Sequence, residues 1–335
     1  MDNILDLNLE ELKSVLTPSF RAKQVFTWLH QKLVSDFAAM TDLPEELRLS
    51  LGKQYSIILP KIKSTSTSKD GTVKFLFGLE DGNLIESVLL KDRTDRKTIC
   101  LSTQAGCPME CSFCATGKMG LKRNLSVSEI IGQVYQIMAG SLEIANLVFM
   151  GMGEPLLNYD NVIKALRILI SKEGQNFGQR KITVSTCGIP DGIKRFADEN
   201  FQVRLAVSLN SADDAIRERL MPINKTYPLS ALKDAVEYYI TAAGRRVTFE
   251  YIMLDGINDR KEDAEKLVKF CQQLRQVNVN LIPFNQVEGG FKPSKKETIE
   301  EFLKTLDFNQ INAVLRHRRG EDIKAACGQL AGENK

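Results

Sequence analysis

The sequence lacks three features that would set it apart from ordinary globular proteins: an apolar run long enough to cross a bilayer, a low-complexity segment and a repeat of fixed period. Residues 1–16 are acidic and amphipathic, whereas a secretory signal begins with basic and then apolar residues. A strong excess of one charge is also missing, since 45 Lys and Arg residues face 42 Asp and Glu residues. We therefore expect a cytoplasmic protein with no membrane partner.

The composition is that of a chain that buries a hydrophobic core. Of its 335 residues, 43% are hydrophobic and 26% are charged, which suits one large domain, alone or with a small one. The net charge of +3 permits an RNA partner without requiring one. Seven cysteines, an odd number, indicate metal or redox chemistry in a reducing compartment rather than structural disulfides.

The N-terminal part of the sequence predicts helices. Leucines recur at helical spacing in the first of them, at Leu5, Leu9, Leu12 and Leu16. Thr17 and Pro18 then offer a cap and a first-turn residue for a second helix running to about Val34, and a third helix begins near Leu43. We predict a helical accessory module over residues 1–55.

The apolar period then changes from helical to alternating. Residues 57–67, 72–79 and 84–91 are predicted strands, and the later two follow turn signals at Asp70-Gly71 and Asp81-Gly82-Asn83. We interpret residues 56–92 as a short antiparallel sheet that links the helical module to the main domain.

From residue 97 onward, predicted strands and helices alternate. The strands are 97–102, 146–150, 181–186, 203–209, 246–253 and 278–284, and the helices are 127–139, 159–171, 190–199, 229–243 and 260–274. A helix at about 295–306 precedes a last strand near 313–318. Repeated β-then-α units predict an α/β fold with a parallel sheet, and six units favour an open, partial (β/α)6 barrel over residues 93–320. Residues 321–335 then form a C-terminal loop.

The most distinctive motif is a cysteine triad directly after a predicted strand, with the spacing C-x3-C-x2-C at Cys107, Cys111 and Cys114. A zinc knot and a ferredoxin-type cluster are the alternatives, but both normally use four protein ligands, and no further Cys or His follows at a suitable spacing. Three thiolates on a four-iron cluster leave one iron open to a ligand. We interpret the triad as the site of a [4Fe–4S] cluster with an open iron.

This spacing, with Phe113 before the last cysteine, resembles the radical S-adenosylmethionine (SAM) superfamily. The resemblance implies that the amino and carboxylate groups of SAM chelate the open iron. It also implies that an electron from the cluster cleaves SAM and yields a 5′-deoxyadenosyl radical. The cluster receives this electron from a flavodoxin-type protein or another one-electron donor.

Further ordered motifs are similar to those of the bacterial RNA adenine carbon-2 methyltransferase family (RlmN), over nearly the whole chain. The matching segments are residues 107–114, 120–125 (GLKRNL), 128–134 (SEIIGQV), 151–156 (GMGEPL), 221–224 (MPIN) and 326–330 (ACGQL). The resemblance implies that the helical module helps to hold RNA. It implies two substrates, 23S rRNA at the peptidyl-transferase centre and tRNA next to the anticodon. We expect a monomer.

The electron-poor carbon 2 of adenine cannot attack the methyl group of SAM as a thiolate would, so its methylation needs a radical route. The resemblance implies two SAM molecules for each methyl group added. The first methylates Cys327, and the radical from the second removes a hydrogen atom from the new S-methyl group. The S-methylene radical then adds to carbon 2.

Release of the product needs a second thiol and a base. The resemblance assigns the thiol to Cys100, whose attack on the Cys327 sulfur leaves a transient disulfide between the two. It assigns the acceptor of the carbon-2 proton to Glu86. The alternatives are a buried strand cysteine for Cys100 and an exposed strand carboxylate for Glu86.

The cofactor contacts implied by the family lie at or beyond the carboxyl ends of the predicted strands, where a barrel site is expected. They are Gly153, Glu154, Ser185, Ser208, Leu209, Asn210 and Asn285. Many relatives have histidine where this chain has Asn210, which leaves the role of that side chain open. Cys187 and Cys271 have no assigned role, and we expect them to serve packing.

Basic clusters at residues 91–97, 118–123 and 316–319 lie on both sides of the triad and before Cys327. An RNA backbone is expected to follow them into the site, although each cluster is also typical of a solvated surface. To reach a ring carbon, the protein must also unstack its target base.

Three other functions compete with this interpretation. The sister class of the Cfr type methylates carbon 8 of the same adenine and shares the triad and both extra cysteines, although residues 151–155 and 319–323 are closer to the carbon-2 type. A glycyl-radical activase would not need Cys100 and Cys327. A non-enzymatic electron carrier would bind a cluster and leave SAM intact.

Overall fold

The computed structural model describes residues 1–139, 143–287 and 290–332. Three helices form the predicted N-terminal module: α1 (Leu9–Val15), α2 (Ser19–His30) and α3 (Glu45–Gln54). Its two ends are joined by parallel pairing of strands β1 (Asp2–Asn3) and β2 (Tyr55–Ser56). Helix α2 ends before the predicted Val34, because Leu33 has a left-handed backbone with a φ of 56° that a helix cannot accommodate.

The next three strands run antiparallel: β3 (Lys61–Thr67), β4 (Val73–Gly78) and β5 (Leu84–Lys91). They are not a separate linker sheet, because β5 pairs antiparallel with β6 (Lys97–Cys100), the first strand of the main domain. The predicted strand 97–102 is shorter than expected. After Cys100 the chain leaves the sheet, and β7 (Gln104–Gly106) pairs with β8 (Leu121–Asn124) in a small two-stranded sheet.

The remaining strands and helices alternate as predicted. The strands are β9 (Asn146–Phe149), β10 (Ile182–Thr186), β11 (Arg204–Ser208), β12 (Val247–Met253), β13 (Val277–Pro283) and β14 (Ala313–Leu315). The helices are α4 (Ala115–Lys118), α5 (Val127–Met138), α6 (Tyr159–Leu169), α7 (Pro190–Asp198), α8 (Asp214–Leu220), α9 (Leu229–Ala243), α10 (Lys261–Gln272) and α11 (Lys296–Phe308). Of these, α4 and α8 were not predicted.

One ten-stranded sheet runs in the order β14-β13-β12-β11-β10-β9-β6-β5-β4-β3. Its strands from β14 to β6 are parallel, which confirms the predicted open barrel, and the last strand predicted near 313–318 joins its edge as β14. Apolar side chains of these strands are fully buried under the helices, as at Ile99, Leu147 and Phe249. The carboxyl ends of parallel strands meet at one edge of the sheet, so loops from distant parts of the chain converge there.

Within the described residues, no helix has the length and apolar character needed to cross a membrane. The longest helix, α9, covers 15 residues.

The N-terminal module is joined to the main domain by polar contacts in an otherwise apolar interface. His30 at the end of α2 is fully buried, and its Nδ1 lies 2.9 Å from the hydroxyl of Tyr135 on α5. Glu11 of α1 forms a 2.7 Å ion pair with Lys164 of α6. These contacts fix the module against helices that follow the first two strands of the barrel.

We expect His30 to make the stability of the protein depend on pH. Burial lowers the pKa of His30 to about 3, against 6.5 for an unperturbed histidine. Between these two values the unfolded chain binds a proton that the folded protein does not. Acidification below about pH 6.5 should therefore reduce the free energy of unfolding by about 1.4 kcal/mol per pH unit, whereas above that pH the contribution is constant.

Urea denaturation of the wild type and His30→Gln at about pH 7.5 and about pH 5.5 measures this contribution. The glutamine amide can still accept a hydrogen bond from Tyr135 but does not titrate. His317→Gln is the matched control, since His317 is exposed and is the only other histidine. An equal loss of stability with acidification in the wild type and His30→Gln would contradict the assignment.

Candidate functional site

The cysteine triad lies in the loop between β7 and α4, and close backbone crossings hold this loop. Gly106 has a φ of +77°, and a Cβ there would lie 1.9 Å from the carbonyl oxygen of Gly120, so only glycine fits. Cys107 N donates to that same carbonyl at 3.1 Å, and Cys114 N donates to Cys111 O at 3.0 Å. The loop is therefore a fixed turn that carries three thiols.

The three thiols interact electrostatically, as a shared site requires. Burial and the neighbouring Cys114 raise the pKa of Cys107 to about 12, and burial together with both other thiols raises the pKa of Cys111 well above its usual value. Across the described residues, no three His, Cys, Asp or Glu side chains converge on one point as ligands of a single ion do. A four-iron cluster binds each thiolate at a separate iron, so three thiols on one fixed loop are a donor set that fits it.

A cavity of about 720 Å³ opens beside the triad, at the carboxyl ends of the strands. Its size lies in the range of small-molecule sites. Cys107 and Cys114 line it, together with residues at or beyond the carboxyl ends of β6, β9, β10, β11 and β13. Predicted site residues that line the cavity are Cys100, Gly153, Glu154, Ser185, Ser208, Asn285 and Cys327.

The loop after β9 brings the backbone close to the cavity. Gly153 has a φ of +101°, and a Cβ there would lie 2.5 Å from the Cβ of Gln104. The buried Glu154 carboxylate accepts the Cys187 amide at 2.7 Å and the Leu156 amide at 3.0 Å. Burial raises the pKa of Glu154, and these two amides oppose the shift. Both residues fit the predicted contact with a cationic ligand group.

Asn285, after β13, has a polar atom left free in the cavity wall. Its Nδ2 donates to Cys327 O at 3.3 Å. Its Oδ1 is buried without a hydrogen-bond partner among the described residues. A buried acceptor of this kind normally has a partner, so the site is shaped for a donor that the chain itself does not supply.

Two predicted cofactor contacts do not reach the cavity. Neither Leu209 nor Asn210 is among the described residues that line the cavity. Leu209 is fully buried in the core, while Asn210 accepts the Ile252 amide at 2.9 Å and directs its Nδ2 to Met221 Sδ at 3.2 Å. The Asn210 side chain holds the loop after β11 in its left-handed conformation, with a φ of 58°.

The fold brings Cys100 and Cys327 to the same cavity, although 227 positions separate them in the sequence. Burial, reinforced by Cys327, raises the pKa of Cys100 to about 12. All seven cysteines lie within the described residues and are free thiols, so the predicted disulfide is not a feature of this structure. Cys271 is buried on α10, as expected for packing, whereas Cys187 also lines the cavity.

Sequence reasoning missed an ion pair inside the cavity. Arg316 Nη1 lies 3.4 Å from Glu250 Oε2, and the Glu250 carboxylate also accepts the Asn280 amide at 2.9 Å. Arg316 was expected to contact RNA as part of a basic cluster, but it lies inside the cavity near both thiols. The Cys327 side chain is exposed. Desolvation by the surrounding wall raises the pKa of its thiol, Arg316 opposes this shift, and Glu250 and Cys114 add to it. The sequence signal that could have revealed this ion pair is Glu250 itself, a single carboxylate within the mostly apolar strand β12.

Glu86 lies outside the cavity lining. Its carboxylate is 2% exposed and is occupied on both oxygens. Oε1 forms a 2.8 Å ion pair with Lys74, and Oε2 accepts the amides of Ala331 at 2.8 Å and Gly332 at 3.2 Å. In this conformation the structure does not bring Glu86 to the predicted site.

Basic side chains surround the cavity mouth. A second concavity of about 430 Å³ shares part of the wall, and four Lys or Arg side chains outnumber two carboxylates in it. Its lining is Asp70, Lys91, Asp92, Arg93, His317, Arg318 and Arg319. Arg319 donates to the carbonyl of Lys91, which joins two of the predicted basic clusters. In the third, Arg123 is engaged by Asp81 and Glu129.

Comparison with known proteins gives two family matches along the chain. Residues 101–271 match the Radical SAM superfamily, and residues 2–57 match the "Ribosomal RNA large subunit methyltransferase N-terminal domain". The chain is 46% identical to the "Probable dual-specificity RNA methyltransferase RlmN" of Syntrophomonas wolfei, over 98% of this chain and 96% of that protein. It is 45% identical to the protein of the same name from Thermotoga maritima, over 98% and 97%.

A solved structure matches the whole fold. The crystal structure of a radical SAM methyltransferase from Sphaerobacter thermophilus superimposes with a TM-score of 0.93 at 42% identity, covering 99% of this chain and 100% of that one. The [FeFe]-hydrogenase maturase HydG shares the fold alone, with a TM-score of 0.51 and 11% identity over 69% of this chain and 54% of that one.

We expect Arg316→Gln to slow alkylation of Cys327 by iodoacetamide several-fold at neutral pH. The arginine charge stabilises the thiolate, which is the form that reacts, and its removal leaves Glu250 unopposed. Peptide mass spectrometry of the alkylated protein measures the rate at each cysteine. Arg318→Gln is the matched control, since Arg318 is exposed and lies 3.5 Å from Glu321. A Cys327 rate that is equal in both variants would contradict a role for Arg316.

Proposed function

The chain belongs to the RlmN family of radical SAM proteins, and from this membership we propose that it methylates carbon 2 of adenosine. The proposed substrates are 23S rRNA at the peptidyl-transferase centre and tRNA next to the anticodon. The observation that carries the proposal is one cavity lined by two triad cysteines and by the distant thiols of Cys100 and Cys327. A radical SAM protein without a methyl-carrying cysteine has no need of that pair.

The superfamily implies a [4Fe–4S] cluster and SAM, and the residues of the site fit both. Cys107, Cys111 and Cys114 would hold the cluster, while Glu154 and Asn285 would bind SAM through a carboxylate and the free acceptor Oδ1. When bound, the cluster and SAM would together supply a methyl group for transfer and, after one-electron reduction of SAM, a 5′-deoxyadenosyl radical. We propose that two SAM molecules are used in each turnover.

Cys327 is proposed to carry the methyl group. Its thiolate would attack the methyl carbon of SAM and release S-adenosylhomocysteine, and the electrostatic influence of Arg316 favours that thiolate. Once the S-methyl group has lost a hydrogen atom to the 5′-deoxyadenosyl radical, the S-methylene carbon would form a bond to carbon 2 of the adenine, and the adduct would give up its unpaired electron to the cluster. The base is then held covalently by Cys327. Asn285 donates to the carbonyl of Cys327 and Ala115 N donates to the carbonyl of Gly328, so the backbone at this point is restrained.

Cys100 is proposed to release the product. Its thiolate attacks the Cys327 sulfur, and the electron pair of the bond from that sulfur to the methylene carbon stays with the carbon. Carbon 2 loses its proton, the methylene carbon takes up a proton to become the methyl group, and a transient disulfide remains for later reduction. The pKa of about 12 makes Cys100 a poor nucleophile until a charge change in the cavity favours the thiolate. Glu86 as acceptor of the carbon-2 proton stays a prediction from the resemblance.

We predict that the anaerobically reconstituted protein forms 2-methyladenosine when it is given SAM, a reductant and unmodified bacterial RNA, and that Cys327→Ala forms none. Nucleoside mass spectrometry measures the product. Cys271→Ala is the control, because Cys271 is buried on α10 away from the cavity, and it should keep wild-type activity.

Other products would revise the proposal in defined ways. 8-Methyladenosine would keep the role of Cys327 and move the chain to the Cfr type. SAM cleavage without a methylated base would indicate another radical substrate. Full activity of Cys327→Ala would exclude the S-methylcysteine route.

The basic concavity beside the mouth is proposed to hold the RNA backbone. We expect Arg93→Glu to weaken RNA binding and to lower the slope of log affinity against log salt by about 1, since one phosphate contact is lost. Filter binding over a salt series measures the slope. The control is Lys261→Glu on α10, which makes the same charge change and should leave the slope unchanged. The Lys261 side chain is 78% exposed and lines neither concavity.

A further inference from the structure

The Cys327 segment, residues 320–332, has almost no regular structure of its own. Its only helical part is the single turn Glu321–Ile323. A chain of this kind fluctuates unless other elements hold it, yet the proposed chemistry needs the Cys327 sulfur at a defined place. The contacts that restrain the segment therefore decide where the sulfur lies.

The beginning of the segment is bound to the hairpin between β3 and β4. Gly320 N donates to Asp70 Oδ2 at 3.0 Å. The Asp322 carboxylate accepts the Ser68 hydroxyl at 2.6 Å and the Lys69 amide at 3.2 Å. A Cβ on Gly320 would lie 2.8 Å from Thr72, so this end is also in close contact.

The end of the segment is bound to β5 through Glu86. One carboxylate oxygen accepts two consecutive amides, those of Ala331 and Gly332, while the other pairs with Lys74 on β4. Gly332 packs so closely that a Cβ would lie 2.8 Å from Leu84 O. A nearly fully buried carboxylate is costly unless it is paired, and here both of its oxygens are satisfied by protein groups.

The middle of the segment is bound to the triad loop. Ala115 N donates to Gly328 O at 2.7 Å, and Thr116 Oγ1 donates to Leu330 O at 2.6 Å. Among the described residues, two charged side chains thus bind the backbone of the segment on either side of Cys327 in the sequence: Lys74 Nζ lies 3.5 Å from Lys324 O, and Glu86 accepts the amides of residues 331 and 332.

We propose that Glu86 is a positioning residue that clamps the Cys327 segment against β5 and so sets the position of the Cys327 sulfur. This inference rests on the proposed function, in which Cys327 accepts a methyl group. It is separate from the family-derived role as proton acceptor, because in this conformation the carboxylate binds two amides and Lys74 outside the cavity lining. Removal of the proton from carbon 2 would require the end of the segment to detach first.

Glu86→Gln separates the two roles. Without RNA, the clamp requires that S-methylation of Cys327 by SAM, followed by peptide mass spectrometry, falls by roughly tenfold or more, because a displaced nucleophile loses alignment. Hydrogen exchange at Ala331 and Gly332 should become at least about tenfold faster when the charged acceptor is lost. Glu300→Gln, an exposed carboxylate on α11, is the matched control for both measurements.

A second pair of variants leaves the carboxylate in place. Lys74→Met removes its ion-pair partner together with the 3.5 Å contact of Lys74 Nζ with Lys324 O, so it should lower S-methylation and speed exchange as Glu86→Gln does, whereas Lys74→Arg should restore both. This rescue distinguishes a specific clamp from general destabilisation, and it keeps the test open where Glu86→Gln does not fold.

Wild-type S-methylation and unchanged exchange in Glu86→Gln would overturn the clamp. Accumulation of an RNA adduct on Cys327 with normal S-methylation would overturn it too and would support the proton-acceptor role. The exchange measurement needs neither SAM nor RNA, so the clamp is testable even where the proposed methylation fails.

Discussion

The parallel pairing of β6 with β9 is the contact on which the rest of the site depends. It places Cys100 opposite Val148, at the edge where the neighbouring strands of the barrel also end. Residues that follow β9, β10, β11 and β13 then reach one cavity without any local sequence relation to Cys100. The antiparallel strands β3 to β5 extend the same sheet on the other side of β6, so the surfaces that hold the C-terminal segment belong to the same body as the barrel.

This arrangement places two cysteines that must react as thiolates in a partly desolvated cavity. Burial in the cavity wall shields a reactive group from solvent, but it also disfavours thiolates, as the pKa of about 12 for the buried Cys100 indicates. The positive charge of Arg316 is what the chain offers in compensation, because it acts on both thiols and is itself held by Glu250. A cysteine that reacts as a thiolate in this cavity therefore also depends on the charges that substrates and cofactors bring into it.

The sequence predicted what depends on local pattern. The triad spacing and the alternation of strands and helices follow from short-range regularities, whereas Gly153 and Ser185 came from the family resemblance. Gly153, Ser185 and two of the triad cysteines line one cavity. The pairing of β7 with β8 was missed, because it arises from the glycine crossing of Gly106 and Gly120 rather than from any apolar period. Arg316 was assigned to the surface because its neighbours are basic. Only the strand order brings it to Glu250 on β12.

Two partly buried ion pairs, Arg316 with Glu250 and Lys74 with Glu86, lie on either side of the Cys327 segment. Such pairs rarely add stability over well-packed apolar residues of the same volume, since desolvation offsets most of the attraction. Stability is therefore a weak reason for their presence here. Each pair has a geometric consequence instead: one fixes a charge near the reacting sulfurs, and the other fixes a carboxylate that binds two backbone amides. A segment with little regular structure of its own gains a defined position in this way, and its single thiol is held where substrates enter.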